Sequence, residues 1–285
     1  MNQNSEISAL MLLIDDPDEV VYTTVSNKII SMGKDIIPNL EHLWETVKNI
    51  ETLERIEYLI HRVHFQDIFN SIQDWKENKG DLAEGALIIS RYFYPDFDVQ
   101  ASMKEIEKLR RNVWLELNTY LTPIEKATVF NGIFYNYYKQ TGIEISYDNH
   151  DSFLLHKALE SKKGNAFSNG LIYLILASLL DLPVKAINIP RQFILGWFDV
   201  YRTIKSEHER IVFYIDPLSG QLYSHKDIIN YFNKLSVVPD DLFFKPMENT
   251  EILRTIMVEL SKCFEFEEKS YKKDDLLIFS ELLLS

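Results

Sequence analysis

The sequence predicts an α+β protein, and three observations carry that expectation. Only 9 Gly and 9 Pro in 285 residues leave few loops. Apolar residues in the first half recur at helical spacing, and a later block of β-branched and aromatic runs follows one continuous apolar helix. Hydrophobic residues make up 46% and aromatics 13% of the chain, enough for a sizeable core and too much for wholesale disorder. The length suits one large domain or two ordinary ones.

Taken in order, residues 5–16, 17–32 and 38–50 read as short helices broken by Asp-Pro, Gly33 and Pro38. Pro17 and Pro38 suit first-turn positions, where the missing N–H costs no intrahelical bond. A helix, an Asp-Asp-Pro-Asp turn, a second helix, Gly and then Pro-x-Leu look like one unit of a HEAT-type repeat, without a clear second copy. Residues 51–78 continue as one or two amphipathic helices, and Gly80 breaks the chain before a helix at 82–93. Helices at 99–120 and 123–140 follow, the latter opening on Pro123 and closing at Gly142. A buried helix at 171–180 then precedes strands at 184–190, 193–200 and 210–217, which predicts a helix packed on an antiparallel sheet. The tail 248–285 is helical in two pieces around 267–273 and is expected to pack on the rest.

Charge narrows the range of functions. Lys+Arg 30 against Asp+Glu 43 gives a net charge of −13, which opposes nucleic-acid or anionic-membrane partners. Cys263 is the single cysteine, so neither an intramolecular disulfide nor a cysteine-rich zinc site is possible, and the cytoplasm is the expected location. The apolar stretch 9–14 lacks a preceding positive charge and runs into Asp15-Asp16, unlike a secretory signal. The run 171–180 is about half the roughly 20 residues of a membrane span.

A series of short motifs carries a resemblance. Lys163-Gly164-Asn165-Ala166-Phe167-Ser168 opens the buried helix, and Leu180-Asp181-Leu182-Pro183 follows it. Ile189-Pro190-Arg191-Gln192-Phe193 and Ile215-Asp216-Pro217-Leu218-Ser219-Gly220 come next, with Ala86 to Asp98 and its Tyr-Pro-Asp ending upstream. Together they resemble the SirB-type transglutaminase-like family. The resemblance implies a helical N-terminal region at 1–80, a transglutaminase-like, papain-like core at 81–236 and a tetratricopeptide-like tail at 237–285.

Transglutaminase-like enzymes use a Cys-His-Asp set, in which a thiolate attacks an amide or ester and an Asp-oriented imidazole moves the proton. The thiol belongs at a helix N-terminus, where free N–H groups and the dipole lower its pKa. By resemblance Ala166 holds the nucleophile's place, Gln192 the histidine's, and only Asp216 matches. A one-residue slip would put Asn165 or Phe167 there instead, again without a thiol. The expectation is a catalytically degenerate member that binds a protein or peptide, with a cleft lined by Gly164, Ala166, Phe167, Ser168, Gln192, Phe193 and Asp216 and with no cofactor or metal. The alternative is a hydrolase or acyltransferase with a displaced triad, for example Cys263 or Ser168 beside His156. A third reading is a structural scaffold with no pocket near Asp216.

Other candidates read as structure. Ser168 suits a helix cap and Cys263 a small buried hydrophobe within a helix at 252–268. His61 and His64 share a helix face at i, i+3 without a third metal ligand. His208-Glu209-Arg210-Ile211 lacks the second histidine of a zinc signature, and no phosphate-binding glycine loop occurs. Asp15, Asp16, Asp18 and Glu19 lack the spacing of a calcium loop and read as helix-capping charge.

Overall fold

The computed structural model describes residues 3–199, 206–265 and 271–284. The chain divides into two compact units, Met1–Glu77 and Asn78–Ser285.

The first unit holds α1 (Gln3–Leu12), α2 (Glu19–Ser31), α3 (Ile37–Thr46) and α4 (Ile50–Glu77). Ile14, Val25, Ile29, Ile36, Leu40, Ile56, Leu59 and Val63 close its core. The acidic turn before α2 is a capping device: Asp18 accepts from the Val20 N–H at 2.8 Å, and Asp16 from the Asp18 N–H at 2.8 Å. Arg55 fastens this turn to α4, donating to the carbonyls of Ile14 at 3.1 Å and Asp16 at 2.9 Å. Pro17 precedes the Asp18 cap and so lies outside the helix, because the aspartate side chain fixes the first turn one residue later; Pro38 does sit in the first turn of α3. Residues 50–77 form one uninterrupted helix, with Ile56, Leu59, Val63, Ile68, Ile72 and Trp75 buried along it.

The second unit begins with α5 (Leu82–Phe93), α6 (Val99–Glu116) and α7 (Pro123–Asn131), the last running into a π-helical stretch at Gly132–Tyr137. The helix expected over 99–120 stops at Glu116, where Asn118 turns back to accept from the Tyr120 N–H at 3.0 Å and competes with the helical ladder. The helix expected to close at Gly142 ends earlier, since Thr141–Gly142 is a short strand, β1, paired in parallel with β2 (Lys163–Gly164). A Cβ on Gly142 would collide with the Leu218 backbone, so only glycine lets these segments approach.

Between β1 and β2 lie a 3-10 turn (His150–Phe153) and α8 (Leu155–Ser161), and after β2 comes α9 (Ala166–Leu179), buried without a break from Ala166 to Ala177. Then β3 (Val184–Ile189), β4 (Gln192–Phe198), β5 (Ile211–Ile215) and β6 (Leu222–Tyr223) form an antiparallel sheet in sequence order. The expected strand residue at 200 lies outside the described residues. α10 (His225–Leu235), on which the sequence reading made no assignment, covers one face of the sheet. There Ile187, Ile189, Ile194, Phe198 and Tyr214 pack with Ile228 and Phe232 of α10 and with Phe244. α9 contacts β3 and β4 on the opposite face.

α11 (Asn249–Ser261) and α12 (Tyr271–Leu282) pair with each other, and the tail joins the same unit. Tyr92 of α5 donates to the buried Asp275 of α12 at 2.6 Å, and Phe93 stacks on Phe264 at 5.7 Å. Cys263 lies in a 3-10 turn, Lys262–Phe264, after α11 has ended, not within a longer helix; residues 266–270 of the expected helix lie outside the described residues.

Candidate functional site

The N-terminus of α9 is built by its own flanking residues. Gly164, held by the β1–β2 pair, leaves no space for a Cβ against the side chains of Ser168 and Asn169. Asn165 is the helix cap: its side-chain oxygen accepts from the N–H groups of Phe167 at 2.9 Å and Ser168 at 3.1 Å. Ser168 therefore does not cap its own helix. Its hydroxyl donates to the Ser152 carbonyl at 2.7 Å, in full burial. Asn169 completes the arrangement by accepting from Gln140 at 2.8 Å.

The Tyr-Pro-Asp segment after α5 supports this end of the helix from outside. Tyr94 donates to Asp151 at 2.7 Å, and Asp151 belongs to the 3-10 turn whose Ser152 receives the Ser168 hydroxyl. The bond to Asp151, with burial adding to it, pushes the Tyr94 hydroxyl up to about 12, so it stays protonated as a tether.

Ala166 occupies the first helical position and is buried. Phe167 beside it meets Phe193 with ring centroids 5.0 Å apart, and a Cβ on Gly170 would strike the Phe193 ring. Phe193 thus faces α9. Side chains alternate along a strand, so Gln192 faces the other way. It lines a cleft with Tyr231 and other residues of α10, remote in orientation from Ala166. Of the expected site, Gly164, Ala166, Phe167, Ser168 and Phe193 are brought together, and Gln192 is not.

Asp216 is spent on its own turn. It accepts from the Leu218 N–H at 2.9 Å and the Ser219 hydroxyl at 2.8 Å, an arrangement that closes the loop between β5 and β6. Tyr135 donates to Pro217 O at 2.9 Å and Asn131 to Gly220 O at 2.6 Å, clamping the same loop to the end of α7.

Cys263 and His156, the alternative candidates, lie in apolar surroundings. Burial first, and then the charge of Asp148, pushes the Cys263 thiol up to about 11, the opposite of what a nucleophile needs. His156 is 1% exposed, lies 4.5 Å from the Phe97 ring and 5.1 Å from Tyr94, and neither ring nitrogen has a hydrogen-bond partner. Burial, with a contribution from Lys157, lowers its pKa to about 4, so it is neutral at physiological pH. Among the described residues no group of three or more metal-ligating side chains is found, His61 and His64 included.

Among the described residues a cleft opens on the α10 face, with a volume of about 480 Å³. Ile189, Ile194 and Ile228 supply its apolar wall, and Gln192, Gln221 and Asn230 present three side-chain amides. Lys234 adds a cation, while the Asp227 carboxylate is occupied in capping α10 through Ser224 N and Oγ at 2.8 and 2.6 Å. Sequence reasoning missed this wall. The signal was present in Ser224-x-x-Asp227, a capping box ahead of an amphipathic stretch.

The arrangement of α9 against a sheet, with a helical lead-in and an Asn-capped turn at the expected nucleophile's place, defines a transglutaminase-like core. A family model described as the transglutaminase-like superfamily matches residues 100–257, more than half of the chain, and the chain belongs to that superfamily. It is 27% identical to protein SirB1 of Salmonella typhimurium over 191 residues, covering 66% of this chain and 68% of that protein. The UPF0162 protein YchA of Escherichia coli is 26% identical over the same coverage, which supports a SirB-type member. F-box only protein 21 of Mus musculus is 24% identical over 164 residues, 49% of this chain and 26% of that protein. No solved structure matches the chain. Among the described residues no helix is long and apolar enough to cross a membrane.

Proposed function

We propose that this protein is a non-catalytic member of its superfamily that binds a protein or peptide segment. The observation that carries the reading is the state of the α9 N-terminus. The N–H groups that would lower a thiol's pKa are already hydrogen-bonded to Asn165, Ala166 offers no nucleophile, and the Ser168 hydroxyl is bound to Ser152. Gln192 cannot carry a proton at neutral pH and faces away from α9, which leaves Asp216 no base to orient. The α10 cleft supports the binding half of the proposal, since an apolar wall with amides that donate and accept suits a peptide backbone.

Two assays on the full chain test both halves. A glutamine-containing peptide with hydroxylamine is expected to yield no hydroxamate above a protein-free control. Chemical-shift mapping with pooled unstructured peptides is expected to move resonances at 189–194, 221–223 and 227–234. Hydroxamate formation abolished by Ser168→Ala or Cys263→Ala would establish the displaced-triad enzyme instead. Absence of shifts at the cleft would remove the binding half.

A further inference from the structure

Away from the α9 N-terminus, the second unit contains a pair of stacked histidines. His208, in the 3-10 turn Glu207–Arg210, and His225, the first residue of α10, have ring centroids 4.8 Å apart and planes 21° apart. Both rings also meet Phe244, at 5.9 and 5.7 Å, in the turn Asp241–Phe244. One aromatic stack therefore joins three segments far apart in sequence: the entry to β5, the start of α10 and the segment after it.

The two imidazoles have unequal surroundings. The Nδ1 of His208 lies 2.9 Å from the Ser206 hydroxyl and 3.3 Å from an Asp241 carboxylate oxygen, so a proton taken up there meets an anion. The Nδ1 of His225 lies 3.0 Å from the Tyr214 hydroxyl. Burial raises that phenol's pKa, so it remains protonated and offers no anion. A charge on His225 would also stand at the positive end of the α10 dipole, against His208. The charged and titratable neighbours on the surrounding elements are Glu207, Glu209 and Arg210 on the His208 turn, Tyr223 on β6, Lys226 and Asp227 on α10, and Asp240 and Asp241 before Phe244. Of these, the Asp227 carboxylate is bound to Ser224, and Arg210 lies 3.8 Å from Glu207.

We propose that the His208–His225 stack is a proton-operated latch that holds the 207–210 and 241–244 turns on the start of α10 and opens when His225 takes up a proton. A charge on His208 is paired by the Asp241 carboxylate, 3.3 Å from its Nδ1. A charge on His225 as well would set two like charges face to face in a partly buried site where His225 Nδ1 meets the Tyr214 hydroxyl and not a carboxylate, and separation of the rings relieves the repulsion. Opening uncovers Tyr214 and Phe244, both members of the core on which α10 rests. Burial, followed by the charge of His208, lowers the pKa of His225, in keeping with a folded state that resists this second proton. The latch is independent of what the cleft binds, and neither histidine lines the cleft.

Amide hydrogen exchange on the full chain, compared at pH 7.5 and pH 5 after correction for intrinsic rates, tests the latch. Wild-type protein is expected to show, on acidification, a rise in exchange at 208–215 and 241–244 at least roughly tenfold greater than any rise of the α9 amides at 171–177. His225→Gln keeps an acceptor for Tyr214 but cannot charge, and its exchange at these turns is expected to change less than about twofold relative to the α9 amides. An equal rise in the variant, or a rise in α9 matching that in the turns, overturns the latch. Proton NMR titration of wild-type protein gives a second test without a variant. Persistence of the ring-current shifts of the stack through the titration of His225 overturns the proposal, and loss of those shifts as His225 titrates supports it.

Discussion

The two faces of the four-stranded sheet contrast in how they use their polar groups. On the α9 face, Asn165, Ser168, Asn169 and Gln140 are buried and bound to one another or to backbone. On the α10 face, Gln192, Gln221, Asn230 and Lys234 surround an open cleft. The motif residues around the α9 N-terminus belong to the first face, and the polar groups of the cleft, Gln192 among them, to the second. A motif can thus persist because it folds the protein, and buried polar networks of this kind are costly to break. The position of reactive groups has to be read from strand faces as well as from motif order.

The sharpest way to break the contrast is to hollow out the α9 face. Phe193→Ala removes the ring wedged against Gly170 and Phe167 and is expected to cost about 3–5 kcal/mol in urea denaturation. A loss below about 1 kcal/mol would mean that the ring does not anchor the sheet to α9.

A second effect on this side depends on pH. His156 has a folded pKa of about 4 against 6.5 for the free side chain, so the unfolded chain binds the proton more readily. Its contribution is fully present above pH 6.5 and is lost as pH falls through that value towards 4, amounting to about 3 kcal/mol at most. Wild-type protein is expected to lose stability over this window relative to His156→Leu, which has no proton to bind. Parallel denaturation midpoints for the two proteins at pH 7, 6 and 5 would remove this account.

Asn165→Ala leaves two helix N–H groups without their cap and is expected to cost about 1–2 kcal/mol, measured in the same way. Asn165→Asp retains the acceptor and should restore most of the loss. Failure of the aspartate to do so would show that the Asn165 amide bond to the Ser152 hydroxyl at 3.3 Å matters more than the cap.

Much of this contrast was legible in the sequence, and the illegible part has physical reasons. α5 is bounded by Asp81, whose carboxylate accepts from Glu84 N, and α9 is an unbroken apolar run, so both declare themselves locally. The strands 184–189, 192–198 and 211–215 were marked by β-branched and aromatic residues. α10 was not found because Asn230, Tyr231 and Asn233 dilute its helix propensity; packing of Ile228 and Phe232 on the sheet supplies what propensity lacks. At the site, grouping Gln192 with Phe193 ignored the period of two, which sets adjacent strand residues on opposite faces. That error was correctable from sequence. The inward hydrogen bonds of Ser168 and Asn165 were not, because their partner Ser152 is brought to them only by the fold.

On the α10 face the expected cost is much smaller. Gln192→Ala and Asn230→Ala remove exposed amides and are each expected to change stability by less than about 0.5 kcal/mol, while both abolish the peptide-induced shifts proposed for the cleft. A larger loss of stability would make these amides part of the scaffold and erase the difference between the faces.

The smallest expected effect is the most discriminating. Ala166→Cys combined with Gln192→His restores, by motif, the two missing members of a Cys-His-Asp set, and if motif order decided activity the double variant should gain hydroxamate turnover. The geometry gives the opposite expectation. The new thiol would stand on the α9 side at a helix end already capped by Asn165, and the new imidazole would project into the cleft beside Tyr231 and Asn230. The sheet lies between them, so no proton can pass directly from one to the other, and general-base activation requires hydrogen-bond reach or a single bridging water. The double variant is therefore expected to remain at the level of the protein-free control. Its cysteine should alkylate with iodoacetamide no faster than an ordinary thiol, since neither a neighbouring imidazole nor a free helix N-terminus lowers its pKa. Turnover in the double variant but in neither single one would place residues 166 and 192 on the same side of the sheet and overturn the contrast at its base.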